Sequence, residues 1–72
     1  MVWYEVHGYT TTEDSSDIET EYIGQSLKKA YSVFEKMKLR YARVRIDKWD
    51  GRKVDGSFDG DYIDDVENWV KQ

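Results

Sequence analysis

The chain contains one histidine, His7, which is the first candidate for acid–base chemistry. In an extended segment His7 lies on the same side as Glu5, so the two could form an acid–base pair. A nucleophile would have to be Ser or Thr, because the chain has no cysteine, and no nucleophile-elbow pattern is present. We therefore interpret His7 as a surface residue of a strand and predict no enzymatic activity.

A second candidate is the segment DGSFDGD at residues 55–61, which has oxygen-bearing side chains at alternate positions and a glycine at the sixth, as in a calcium loop. The twelfth position of such a loop requires a bidentate Glu, but here it is Val66, and Glu67 comes one place late. The absence of cysteine excludes thiolate ligands, and no phosphate-binding glycine loop is present. We interpret the three Asp-Gly pairs as turn signals and predict no metal and no cofactor.

The most informative residues are aromatic and basic side chains that alternate along two predicted strands. They form the candidate binding surface, which consists of Trp3, His7, Tyr9, Arg43, Arg45 and Trp49. Alternation places the first five on the face of a sheet that points away from the helix, which we call the outer face, and Trp49 lies at the hairpin end. We expect Trp3, Tyr9 and Arg43 to be at least partly exposed on the outer face.

Three uses of this surface are compatible with its composition. Cross-strand pairing and cation–π contacts would make it purely structural. Trp, Tyr and Arg are also the anchors enriched in protein interfaces, and aromatic residues among arginines can stack bases and bind phosphates. No RNP-type motif is present, and Glu5, Asp47 and Asp55 share the face. We predict a small protein–protein interaction module that binds a partner or a second copy, with single-stranded nucleic acid as the alternative and no small-molecule substrate evident.

Length and charge set limits on these interpretations. The 72 residues predict one α+β domain spanning 1–72. The net charge of −4 divides unevenly: residues 1–25 hold six acids and no Lys or Arg, residues 26–53 hold ten bases and three acids, and residues 54–72 hold six acids and one base. We expect basic strands to lie beside acidic ones. The chain shows no membrane-spanning run and no signal-peptide pattern, so we predict a cytoplasmic protein without membrane contact.

One amphipathic helix organises the predicted fold. Within Ser26–Tyr41 the apolar residues recur at helical spacing, and Ser26 is suited to cap the helix. The stripe consists of Leu27, Ala30, Tyr31, Phe34, Met37 and Tyr41. Its apolar character requires a sheet to pack against.

The β-branched and aromatic residues of Val2–Thr12 and Ala42–Lys48 predict strands, and Glu13–Asp17 predicts a loop. The segment Ile18–Ile23 fits a strand with Ile18, Thr20 and Tyr22 on one face, or a helix that begins at a capping box, and we prefer the strand. For the second hairpin we predict a three-residue loop, Trp49–Gly51, with a left-handed Gly51. That register pairs Ile46 with Val54 and Arg45 with Asp55.

After Gly60 we predict a second, short helix, capped by Asp61, whose stripe begins at Tyr62 and Ile63. The element order is then ββαββα. We predict a two-layer sandwich in which a mostly antiparallel four-stranded sheet, with spatial order 2-1-3-4, packs on the main helix. The pattern leaves open which face the second helix covers.

Overall fold

The computed structural model describes residues 1–11, 17–55 and 57–71, and within these ranges it describes the side chains of residues 1–11, 17–55 and 59–63. The elements are β1 (Val2–Tyr9), β2 (Ile18–Gly24), α1 (Leu27–Met37), β3 (Arg43–Val54) and β4 (Ser57–Lys71). All neighbouring strands pair antiparallel in the order β2-β1-β3-β4. This confirms the α+β class, the sheet order and the strand at 18–23. The predicted loop at 13–17 lies outside the described residues except for Asp17.

Helix α1 begins as the sequence predicts and ends earlier. The Ser26 hydroxyl accepts a hydrogen bond from the Lys29 backbone amide at 3.2 Å, which satisfies one of the amides left unpaired at a helix start. The helix ends at Met37, and residues 38–40 form a turn. Tyr41 therefore lies beyond the helix, yet its side chain is still buried.

The core lies between α1 and the inner face of the sheet, as the apolar stripe predicts. Phe34 is buried in the same cluster as Val44 and Ile46, which confirms the predicted helix face. The buried members of the cluster are Val6, Ala30, Phe34, Met37, Tyr41, Val44 and Ile46.

A bulge in β2 changes which of its side chains share a face. Val6 pairs with Tyr22 but His7 pairs with Thr20, so Glu21 is an extra residue in β2. Because of this extra residue, Tyr22 packs against the core while Thr20 lies beside His7 on the outer face. The prediction from alternation, which placed Thr20 and Tyr22 on one face, is wrong here.

The hairpin between β3 and β4 differs from the prediction. Strand β3 continues to Val54, which pairs with Ser57, so two residues, Asp55 and Gly56, connect the strands. Asp55 has a φ of 48°, the left-handed conformation that Asp tolerates in two-residue hairpins. The turn therefore follows Val54 instead of lying at the first Asp-Gly pair, and Ile46 pairs with Glu67 rather than with Val54.

Gly51, the glycine of the predicted turn, has a different role. It pairs with Gly60 inside the β3–β4 ladder, and a Cβ added to Gly51 would lie 2.2 Å from the carbonyl oxygen of Asp59. The two backbones approach too closely at this point for a side chain. Gly51 is thus required for close strand approach, rather than for the positive φ predicted from the sequence.

The predicted second helix is wrong, because β4 runs through it to Lys71 and pairs with β3 as far as Arg43. The apolar residues after Gly60 are Tyr, Ile, Val and Trp, whose strand propensity exceeds their helix propensity. Pairing with β3 gives hydrogen-bond partners to the backbone groups on one side of this segment. Three register shifts, each adding a residue to β4, break the strict alternation that would have marked a strand in the sequence.

Candidate functional site

The register between β1 and β3 brings the six predicted surface residues into one layer. Trp3 lies opposite Trp49, His7 lies opposite Arg45, and Tyr9 lies opposite Arg43. Because Val6, Val44 and Ile46 face α1, these alternating residues occupy the outer face. Trp49 is not in a turn as predicted but inside β3, beside Trp3.

The prediction that Trp3 and Tyr9 are partly exposed is wrong: their exposed fractions are 2% and 7%. The Trp3 and Trp49 rings stack with centroids 6.1 Å apart, and the Trp3 indole N–H donates to Glu5 at 3.0 Å. The Arg43 guanidinium lies 5.2 Å from the centre of the Tyr9 ring. Trp3 is therefore a packing residue, so its truncation would leave a cavity instead of a neutral surface change.

His7 lies at the centre of a polar network that joins three strands. Its Nε2 atom lies 3.2 Å from Glu5 and 3.4 Å from Asp47, and its Nδ1 atom lies 2.8 Å from the Thr20 hydroxyl. A nitrogen that faces two carboxylates is assigned the N–H, so Nδ1 accepts a hydrogen bond from Thr20. The network ties β2, β1 and β3 together through side chains.

The charges in this network compensate one another. Glu5 lies directly opposite Asp47, an arrangement of like charges that destabilises a sheet unless a cation is close. Arg45 supplies that cation: its Nε and a terminal nitrogen lie 2.9 and 3.0 Å from the two oxygens of the buried Asp47 carboxylate. A two-point contact of this kind is what allows a carboxylate to be buried.

The sequence indicated that Glu5 and Asp47 share the outer face but not that His7 contacts both carboxylates and that Arg45 pairs with Asp47. Thr20 was missed, because the β2 bulge that turns it toward His7 has no signal in the sequence. Thr20, His7 and the two carboxylates lie in the order of a nucleophile, a base and an acid that orients the base. The same contacts are also those of a structural network that joins neighbouring strands. Among the residues with described side chains, no group of three or more His, Cys, Asp or Glu is arranged to hold a metal ion.

Exposed apolar side chains lie at the two margins of this layer. On β2, Ile18 and Ile23 are 58% and 53% exposed and pair with the outer-face residues Tyr9 and Glu5. On β4, Tyr62 is 46% exposed and packs edge-to-face on Trp49 with ring centres 5.5 Å apart. We call Ile18, Ile23 and Tyr62 the outer margins.

A second polar cluster fastens β2 to the segment after α1. The Tyr41 hydroxyl contacts the carboxylates of Glu19 and Glu21, and Arg40 pairs with Glu21 at 2.5 Å. The hydrogen bonds from Arg40 and then Tyr41 lower the pKa of Glu21. The hydrogen bonds to Glu19 and Glu21 raise the pKa of Tyr41 well above its ordinary range.

This cluster predicts how stability depends on acidity. Because the folded pKa of Glu21 is lowered, its ionised form stabilises the fold above the unfolded pKa, and that contribution is lost as the pH falls through the folded pKa. We expect Glu21→Gln to be less stable than the parent near neutral pH, and the difference to shrink as the pH falls below about 4. Urea denaturation of both proteins at a series of pH values measures this difference in the free energy of unfolding. A difference that is constant with pH would contradict the assignment.

Within the described residues, no helix combines the length and apolar character needed to cross a bilayer. Comparisons of the chain with protein-family models, with curated proteins and with solved structures find no match. The function of this chain therefore has to be inferred from the geometry of the outer face and its margins.

Proposed function

We propose that this chain is a small protein–protein interaction module that binds its partner through the outer face. The observation that carries the proposal is the position of the half-exposed Ile18, Ile23 and Tyr62 at the margins of a layer containing Trp and Arg side chains. Helix α1 packs on the inner face, so these margins lie on the side of the sheet away from it. Aromatic and Arg residues with apolar neighbours are the composition of interface anchors.

The rigidity of the layer favours binding. Trp3, Trp49 and Tyr62 are held by ring packing, and His7 by its hydrogen bond to Thr20 of β2 and by its contacts with the Glu5 and Asp47 carboxylates. Side chains that are already ordered lose little conformational entropy in a complex, which otherwise costs roughly 0.5–1.5 kcal/mol for each immobilised side chain. A partner would gain apolar contact at the outer margins, and little entropy would be lost in ordering the side chains at the centre of the layer.

Single-stranded nucleic acid is the alternative partner, and the ring contacts make it less favoured. Base stacking requires an accessible aromatic face. Trp3 is stacked on Trp49 and nearly fully buried, and the Tyr9 ring lies beside Arg43. Arg45, which could bind a phosphate, is engaged by Asp47.

The test compares capture of partners by three forms of the immobilised protein. The double variant Ile18→Thr, Ile23→Thr removes apolar contact while keeping β-branched residues that suit a strand. The matched control is Leu39→Thr, which removes an 87% exposed apolar side chain just after α1. Bound proteins from cell extract, with and without nuclease, are identified by mass spectrometry.

We expect at least one protein to bind the parent and the Leu39 variant equally, whether or not nuclease is added. With that protein purified, the double variant should bind at least about tenfold more weakly, which corresponds to about 1.4 kcal/mol. Equal binding by the double variant would refute the proposal. Binding that disappears with nuclease and falls steeply with salt would establish the nucleic-acid alternative instead.

A further inference from the structure

We infer that a second copy of this chain binds along the open edge of β2, so that two sheets join through antiparallel β2–β2 pairing. The inference rests on the proposed function and specifies one partner for the β2 margin. It follows from the difference between the two edges of the sheet and from the charges at the two ends of β2.

The sheet order leaves β2 and β4 as edge strands, and an edge strand presents backbone groups that can pair with another chain. Strand β4 is unsuited to pairing with itself. It contains five acidic residues and one lysine, and its register against β3 shifts at three points. Concentrated like charge and bulges are features that protect edges from self-association.

Strand β2 carries less of this protection, because it has one bulge, at Glu21, where β4 has three. Its two acidic residues, Glu19 and Glu21, both bind Tyr41, and Glu21 also pairs with Arg40, so their charge is directed toward the chain's own residues. The side chains on the outer side of β2 are Ile18, Thr20 and Ile23, none of them charged. The outer side of this edge is therefore uncharged, and on its inner side Arg40 offsets one of the two carboxylate charges.

The residues that flank β2 carry opposite charges. The exposed Asp17 precedes the strand, whereas Lys28 and Lys29 follow it in the first turn of α1. In an antiparallel pair related by a two-fold axis, the start of β2 in one copy lies beside the end of β2 in the other. Asp17 of each copy then approaches Lys28 and Lys29 of the other, and symmetry repeats the attraction.

The start of α1 gives an independent reason to expect a carboxylate of a second copy beside Lys28 and Lys29. The first turn of α1 contains no acidic residue, while Lys28 and Lys29 lie in it. The start of a helix carries partial positive charge and is stabilised by anions, so two lysines there are unfavourable in the isolated chain. The Asp17 side chain of a second copy would offset this charge.

The test uses charge reversal and measures oligomeric state by sedimentation across a concentration series. One variant is Asp17→Lys, and the other is Lys28→Glu, Lys29→Glu. Each alone places like charges at both contacts, so we expect each to dimerise at least about tenfold more weakly than the parent. Mixed one to one, the two variants restore opposite charges at both contacts, and we expect a heterodimer at least as tight as the parent dimer. Thermal unfolding of each variant at low concentration verifies that its monomer is folded.

A pairing of seven-residue strands buries little area, so the parent dimer should be weak, with a dissociation constant roughly between 1 μM and 1 mM. Hydrogen exchange of β2 amides should slow as the concentration rises, while that of β4 amides should not change. A parent chain that is monomeric at about 1 mM overturns the inference. So does a mixture of variants that fails to associate. If the dimer inference fails but the Ile18, Ile23 double variant still loses binding to a purified protein partner, the proposed function is retained without self-association.

Discussion

Phe34→Ala is expected to remove most of the free energy of unfolding of the protein. Phe34 is 2% exposed and lies in the core cluster with Val44 and Ile46, in the middle of the buried face of α1. Truncation of a buried Phe removes apolar contact and leaves a cavity, at a cost of about 3–5 kcal/mol. The stability of a domain this small is on the order of 5 kcal/mol, so the two quantities are similar.

Urea denaturation followed by far-UV circular dichroism measures this effect, and Lys36→Ala is the matched control. Lys36 is exposed on the same helix, so its replacement by Ala should change stability by less than about 0.5 kcal/mol. The comparison separates loss of packing from a change in helix propensity. Similar denaturation midpoints for the two variants would show that the helix face is misassigned.

Phe34 also illustrates what the sequence could predict. The apolar residues of α1 recur at a period that only a helix satisfies, and they define its buried face without knowledge of the sheet. The order β2-β1-β3-β4 then follows from short connections and from placing the most apolar strands in the centre. These features depend on local pattern and on general rules of chain topology.

The β3–β4 register could not be predicted in the same way. Three Asp-Gly pairs compete for the turn, and the first gave good matches for Ile46 with Val54 and Arg45 with Asp55. The actual turn at Asp55 allows a ladder that extends to Arg43, so many backbone hydrogen bonds outweigh a few favourable side-chain pairs. The bulges in β4 also removed the alternation by which the strand could be recognised.

The wrong β3–β4 register explains why the sequence predicted an exposed Trp3. With Trp49 assigned to a turn, the sequence offered no ring to cover Trp3, whereas β3 places Trp49 directly opposite Trp3. The residue types of the candidate surface were placed together correctly, but their burial depends on a neighbour that only the full ladder supplies. The exposed residues that could contact a partner are therefore those of the outer margins, Ile18, Ile23 and Tyr62.

Gly8→Ala is the second substitution for which we expect a large loss of stability. Gly8 is buried in the central strand β1, and a Cβ at this position would lie 2.6 Å from two ring carbons of Tyr41 and 2.8 Å from the terminal methyl of Met37. Both neighbours belong to the buried core, and Tyr41 is also held by Glu19 and Glu21 through its hydroxyl. The ring cannot move away without breaking its contacts with β2, so overpacking should cost about 1–3 kcal/mol.

The matched control is Gly24→Ala at the end of β2. A Cβ there would lie 2.5 Å from the Tyr22 hydroxyl, which is the far end of a half-buried side chain and accepts a hydrogen bond from the Ser26 amide. Both substitutions restrict the unfolded chain equally, a stabilising effect of about 0.4–1 kcal/mol where the native backbone accepts Ala. The difference between their denaturation midpoints therefore compares a clash with the buried Tyr41 ring with a clash at the end of the half-buried Tyr22 side chain. We expect Gly8→Ala to be clearly the less stable variant and to lose hydrogen-exchange protection in β2 as well as in β1, because displacement of Tyr41 releases Glu19 and Glu21. Equal stability of the two variants would mean that Tyr41 does not pack over Gly8 in solution.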